Sequence, residues 1–259
     1  MKKIALTSLL AVAVAGAAHA ANTMDGNPLY KPTKGHFYSE TALFTNTDHG
    51  KDWTLAEDFG YGITDQLSIN VVTDMSEIDS FDGAEWGTLG FGLNYRFLDM
   101  GPWKADLYGA YGLDPVWGDH ASFLDKDQTW YAWTVGMRAG FQTSLWTVAG
   151  HFDFSYVGDE SFNWGDDGRH IIRVGVDGQY VFTRNWNVVA GIEYTGFTDS
   201  WADNAGEWTC TFGINYNIDA TKYVGAYVTA SMDHLKDNGE KGWELNNGVE
   251  LGVKFGIDF

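Results

Sequence analysis

Read backwards from the C-terminus, alternate residues form two series. One is Phe259, Ile257, Phe255, Val253, Leu251 and Val249, and the other is Asp258, Gly256, Lys254, Gly252, Glu250 and Gly248. Successive side chains of a strand point to opposite faces, so this segment fits a strand with one broad apolar face and one small or charged face. The pattern repeats upstream, most cleanly where Leu89, Phe91, Leu93, Tyr95 and Phe97 alternate with Thr88, Gly90, Gly92, Asn94 and Arg96. Apolar stripes at helical spacing do not occur over any useful length, so the chain reads as all-β.

Twelve such segments follow one another, beginning with His36 to Thr45 and Trp53 to Ile63 and closing at Phe259. One residue breaks the alternation: Glu57 falls on the apolar face of the second segment, and a β-bulge near Ala56 is expected to re-aim it. Connections alternate between short ones (Thr64-Asp65-Gln66, Gln142-Thr143-Ser144, Thr183-Arg184-Asn185, Asp219-Ala220-Thr221) and long ones that hold most of the 35 acids. Aromatic residues sit at both ends of the apolar faces, as in the pairs Trp103 with Tyr111, Trp146 with Tyr156 and Trp186 with Tyr194. The closing strand with its terminal Phe259 resembles the C-terminal signature of Gram-negative outer-membrane β-barrels, and the size and strand count resemble porin-like nucleoside or sugar-acid channels. The resemblance implies a closed antiparallel transmembrane β-barrel of about 12 strands, with short periplasmic turns and long acidic extracellular loops. Spanning segments of about 9 to 11 residues suit that architecture. Lipid supplies no partner for backbone N–H and C=O groups, so the strands must pair until no edge remains.

The N-terminus fits export. Lys2 and Lys3, an apolar run from Ile4 to Val14 and the small-residue site Ala18-His19-Ala20 predict a signal peptide over residues 1–20. Residues 21–35, with Pro28 and Pro32, have no periodicity and read as a periplasmic arm, leaving 36–259 for the barrel. Removing the two leader lysines leaves 14 basic residues against 35 acidic ones, a net charge of −21. That balance argues against nucleic acid as a partner. The single Cys210 excludes an intrachain disulfide and, on the apolar face, reads as a small hydrophobe. Zinc spacing and a phosphate loop are missing and no stretch matches a calcium-loop template, of which Gly165-Asp166-Asp167-Gly168 carries only a fragment, so neither a cofactor nor a dedicated metal site is expected.

Parity assigns the inner surface. Arg96, Lys104, Asp106, Arg138, His151, Asp153, Arg173, Asp177, Glu193, Glu250 and Lys254 all fall on inward positions and are the candidate lumen or constriction residues. Charge inside a barrel must be wet or paired, which leaves two readings. Either the charges line a narrow path for small polar solutes, or they form a salt-bridge network that closes a non-conducting structural or adhesive barrel. Arg96, Lys104, Arg138 and Lys254 count as close to the short-turn end. His151, Asp153 and Ser155 share a face, which admits a third reading, a barrel hydrolase using His151, although alternate residues of a strand are about 7 Å apart. The expected partners are outer-membrane lipids and lipopolysaccharide, small solutes, divalent cations at the acidic loops, and the barrel-assembly machinery through the strand ending in Phe259.

Overall fold

A computed structural model describes residues 26–47, 53–76, 85–115, 129–159, 169–197, 206–235 and 241–259. The stretch expected to be a signal peptide, the start of the arm and most of each long acidic connection lie outside the described residues, as does Gly165-Asp166-Asp167-Gly168.

Twelve strands are present: β1 (Phe37–Asn46), β2 (Trp53–Gly62), β3 (Leu67–Ser76), β4 (Glu85–Met100), β5 (Trp103–Pro115), β6 (Thr129–Gln142), β7 (Trp146–Asp159), β8 (Arg169–Val181), β9 (Trp186–Phe197), β10 (Gly206–Asn217), β11 (Lys222–Leu235) and β12 (Lys241–Asp258). Each pairs antiparallel with its sequence neighbours, and β1 pairs with β12 from Tyr38↔Asp258 to Asn46↔Glu250, which closes the barrel. Several strands exceed the expected length, up to 18 residues in β12 and 16 in β4. They continue into stretches read as loop, because pairing can run past the apolar band where both partners extend together.

Parity holds through the wall. In β4, Leu93, Tyr95 and Phe97 are exposed on the outer surface while Asn94 and Arg96 are buried. The outer band ends in two aromatic girdles. Near the short turns, Trp146 stacks on Tyr180 at 4.2 Å and Trp186 lies 4.9 Å from Tyr216. Toward the long loops, Trp133 stacks on Tyr156 at 6.0 Å and Trp208 lies 5.1 Å from Tyr194. Flat, amphipathic rings at both edges of an apolar belt match a membrane slab.

The bulge expected near Ala56 is not there. Pairing of β2 with β1 and with β3 runs unbroken through Glu57, which stays on the outer face. Its two carboxylate oxygens instead accept hydrogen bonds from the Ser39 and Thr41 hydroxyls, each at 2.5 Å. Neighbour-strand hydroxyls satisfy the carboxylate where it stands, so no backbone shift is required. Bulges occur elsewhere, in the pairings β3–β4, β4–β5 and β11–β12. The last contains Gly248, whose φ of 76° suits glycine.

Four of the five short turns share one device. Thr64, Thr143 and Thr183 each accept backbone N–H bonds from residues two and three positions on, through Oγ1. Asp219 takes the same place in the fifth turn and accepts from Thr221 N at 2.8 Å. This exposed carboxyl is held below the usual carboxylate range, first by the Thr221 backbone N–H and then by its hydroxyl. Side chains that mimic a turn bond explain why Thr or Asp opens each of these connections.

The arm does not extend away from the barrel. Its described part, residues 26–35, folds into the short-turn end of the bore, where Pro28, Leu29 and Pro32 are buried.

Candidate functional site

The bore is lined by the inward parity of all twelve strands, and its polar side chains meet across strands rather than along them. Cross-strand register places Arg96 beside Asp106, Asp106 beside Arg138, Arg138 beside His151, His151 beside Gly175 and Gly175 beside Glu193. Strands in a barrel are tilted, so this row climbs the wall from the short-turn end.

Its lower part is an ion-paired cluster. Arg96 Nε donates to Asp106 Oδ1 at 2.8 Å and its Nη2 to Oδ2 at 3.1 Å. Arg138 Nη2 reaches the same carboxylate at 3.3 Å, and its guanidinium lies 6.0 Å from the Tyr108 ring centre. Asp106 is 0% exposed and Arg138 1%. One residue pair higher, Arg173 Nη1 donates to Asp153 Oδ1 at 2.6 Å while the Tyr108 hydroxyl donates to Asp153 Oδ2 at 3.1 Å. Arg173 is also 0% exposed, and its Nε and Nη2 have no hydrogen-bond partner among the described residues. Five of the expected lumen residues (Arg96, Asp106, Arg138, Asp153 and Arg173) thus form one buried network around Tyr108.

His151 stands apart from this network. Its Nδ1 lies 3.0 Å from Asp177 and its Nε2 2.9 Å from Glu193, on β8 and β9. An imidazole between two carboxylates can serve both only with a proton on each nitrogen. The side chains of Asp177 and Glu193 are 42% and 14% exposed, so this wall opens to solvent. Ser155, two positions beyond Asp153, hydrogen-bonds Thr134 at 2.7 Å. These contacts do not bring His151, Asp153 and Ser155 together: His151 is held by Asp177 and Glu193, Asp153 by Arg173 and Tyr108, and Ser155 by Thr134.

The remaining candidates are dispersed. Lys104 pairs with Asp99 at 2.7 Å at the β4–β5 turn. Lys254 lies 3.9 Å from Glu40 and 5.5 Å from the Tyr223 ring centre, and Glu250 shares a hydrogen bond with Tyr227, on the β11–β12–β1 wall.

Two groups of lining residues were not singled out from the sequence. The first is the set of inward tyrosines, Tyr38, Tyr108, Tyr223 and Tyr227, whose rings cover Gly60, Gly136, Gly256 and Gly252 on neighbouring strands. A side chain at those glycines would occupy the ring's place, and an inward Tyr facing a Gly on the next strand was the available signal. The second is the arm. Arg96 Nη2 donates to the Leu29 carbonyl at 2.6 Å, and the Tyr30 hydroxyl donates to Asp258 at 3.0 Å. Lys31 Nζ donates to the Thr64 carbonyl at 3.2 Å. Burial first, and the neighbouring Arg96 charge second, hold the Lys31 ammonium below its ordinary value.

No protein-family model and no curated protein matches the chain. Solved outer-membrane barrels do. A KdgM porin in complex with disordered oligogalacturonate superposes with a TM-score of 0.55 at 8% identity, covering 86% of this chain and 99% of that one. The NanC porin gives 0.54 at 10% identity, covering 86% and 98%. An outer membrane channel from Pseudomonas putida F1 gives 0.53 at 16% identity, covering 92% and 99%. At these identities the likeness shows a shared fold, the closed barrel of outer-membrane porins and channels.

Proposed function

From that shared barrel and its charged bore, we propose that the chain is a porin-like channel of the bacterial outer membrane. It passes small polar solutes through a narrow lumen and favours those that carry a carboxylate. The observation that carries this reading is the chemistry of the inner wall. Three guanidiniums, Arg96, Arg138 and Arg173, are set into it among hydroxyls, amides and carboxylates, paired with Asp106 and Asp153. A barrel that served only as an anchor could fill its interior with apolar side chains at less desolvation cost. Rings of charged and polar side chains are how pores select, and this wall carries basic groups on the path a carboxylate would take. The barrel-sharing KdgM porin, solved in complex with disordered oligogalacturonate, supports the acidic class of solute. On this reading the chain performs no bond-breaking chemistry. Lipid and lipopolysaccharide surround the aromatic girdles, and divalent cations bridge the acidic loops to lipid phosphates. The strand ending in Phe259 is the segment offered to the assembly machinery.

One observation favours the runner-up, a non-conducting structural or adhesive barrel: Asp106, Arg138, Asp153 and Arg173 are ion-paired at no more than 1% exposure. Planar-bilayer recording of the purified protein separates the two. The channel reading expects discrete conductance steps whose size falls when a small sugar acid is added. Silence at every applied voltage would favour the closed barrel.

A further inference from the structure

The arm touches opposite walls of the bore within four residues. At Gly26, a Cβ would run into the side chains of Val189 on β9 and Asn215 on β10. At Leu29, the carbonyl takes a hydrogen bond from Arg96 on β4. In the ring of twelve strands β4 and β10 stand six places apart, which is diametrically opposite. Three residue steps reach about 10 Å at most, and the long Arg96 side chain on one wall closes the remainder. From Leu29 the segment turns back along the near wall. Tyr30 packs edge-on against Tyr38 with ring centres 5.8 Å apart and donates to Asp258. Lys31 then reaches the β2–β3 turn, and Lys34 forms a parallel bridge with Gly62, so both ends are fastened to the barrel.

We propose that residues 26–35 are a strap across the bore that sets the narrowest cross-section of the channel, with Arg96 as its anchor. Size selection is therefore built into the periplasmic end of the pore by the chain's own N-terminal segment. Leu29 is 1% exposed and Pro28 and Pro32 are buried, so the strap is packed into place against the lining. Solutes must pass beside it, along the wall where Asp177 and Glu193 meet solvent. Two prolines fix backbone dihedrals on either side of Leu29 and Tyr30, which lowers the conformational entropy lost when the strap is held across the opening.

The inference rests on the channel reading, and the test separates the two. Single-channel conductance and the largest polyethylene glycol that enters the pore are measured for the intact chain and for a variant lacking residues 26–35, with folding checked by heat-modifiable gel mobility. The expected result is a conductance several-fold higher in the variant, together with entry of larger polymers. Equal conductance and equal polymer cutoff in the two folded proteins would overturn the strap while leaving the channel reading intact. A silent intact chain with a conducting variant would uphold the strap as a plug and remove the channel reading for the intact chain. Silence in both would remove both. If the variant does not fold, Arg96→Met replaces it, since it removes the bond to the Leu29 carbonyl that anchors the strap. Conductance above wild type with entry of larger polymers upholds the strap, and conductance and polymer cutoff equal to wild type in the folded protein overturn it.

Discussion

Asp153→Ala lowers the unfolding free energy of the barrel by about 3–5 kcal/mol, because it leaves the Arg173 guanidinium buried and without its counter-charge. Arg173 Nη1 bonds Asp153 Oδ1 at 2.6 Å and the residue has no exposed surface, so water cannot replace the lost carboxylate. The same substitution also strips the Tyr108 hydroxyl of its acceptor. Desolvation of two ions is a large standing cost, so removing both charges is far milder than removing one. The double variant Asp153→Leu with Arg173→Met is therefore expected to lie close to wild type. Guanidinium unfolding of barrels folded into lipid vesicles measures both. A loss below about 1 kcal/mol for Asp153→Ala is the behaviour of a solvated surface pair, and would show that Arg173 is hydrated and the bore wetter than its burial indicates.

Val135→Arg should cost about 2–4 kcal/mol in the same assay, the range for a basic residue introduced on the lipid face near mid-membrane. Val135 lies midway along β6 and is 54% exposed on the outer surface. Three positions on, Arg138 is accommodated on the inner face by Asp106 and Tyr108. The contrast isolates the side of the wall as the cause, since residue type and strand are the same. An unchanged stability for Val135→Arg would mean that this surface meets water or a protein partner instead of hydrocarbon.

What the sequence revealed was whatever depends on neighbours along the chain. Parity placed Phe255 outward and Lys254 inward, and Thr64, Thr143, Thr183 and Asp219 marked turns because a side-chain oxygen bonds backbone N–H groups two or three residues away. Which inward charges meet was not legible, because that depends on the register between strands. His151 finds Asp177 and Glu193 on β8 and β9, not the Asp153 two positions away on its own strand. Glu57 misled for the same reason: the Ser39 and Thr41 hydroxyls that satisfy it belong to the adjacent strand. The strap was the least legible feature. Residues 26–35 have no periodicity, and the contact that defines them, Leu29 with Arg96, spans 67 positions.

All of this depends on the sorting of side chains by odd and even position into a lipid-facing surface and a polar bore. The most direct test is an oxygen-accessibility scan of single spin-labelled cysteines at positions 249 to 257, in a Cys210→Ser background folded into lipid vesicles. Oxygen concentrates in hydrocarbon, so the account predicts maxima at 249, 251, 253, 255 and 257 and minima at the positions between them. A flat profile, or maxima at 250, 252 and 254, would contradict it.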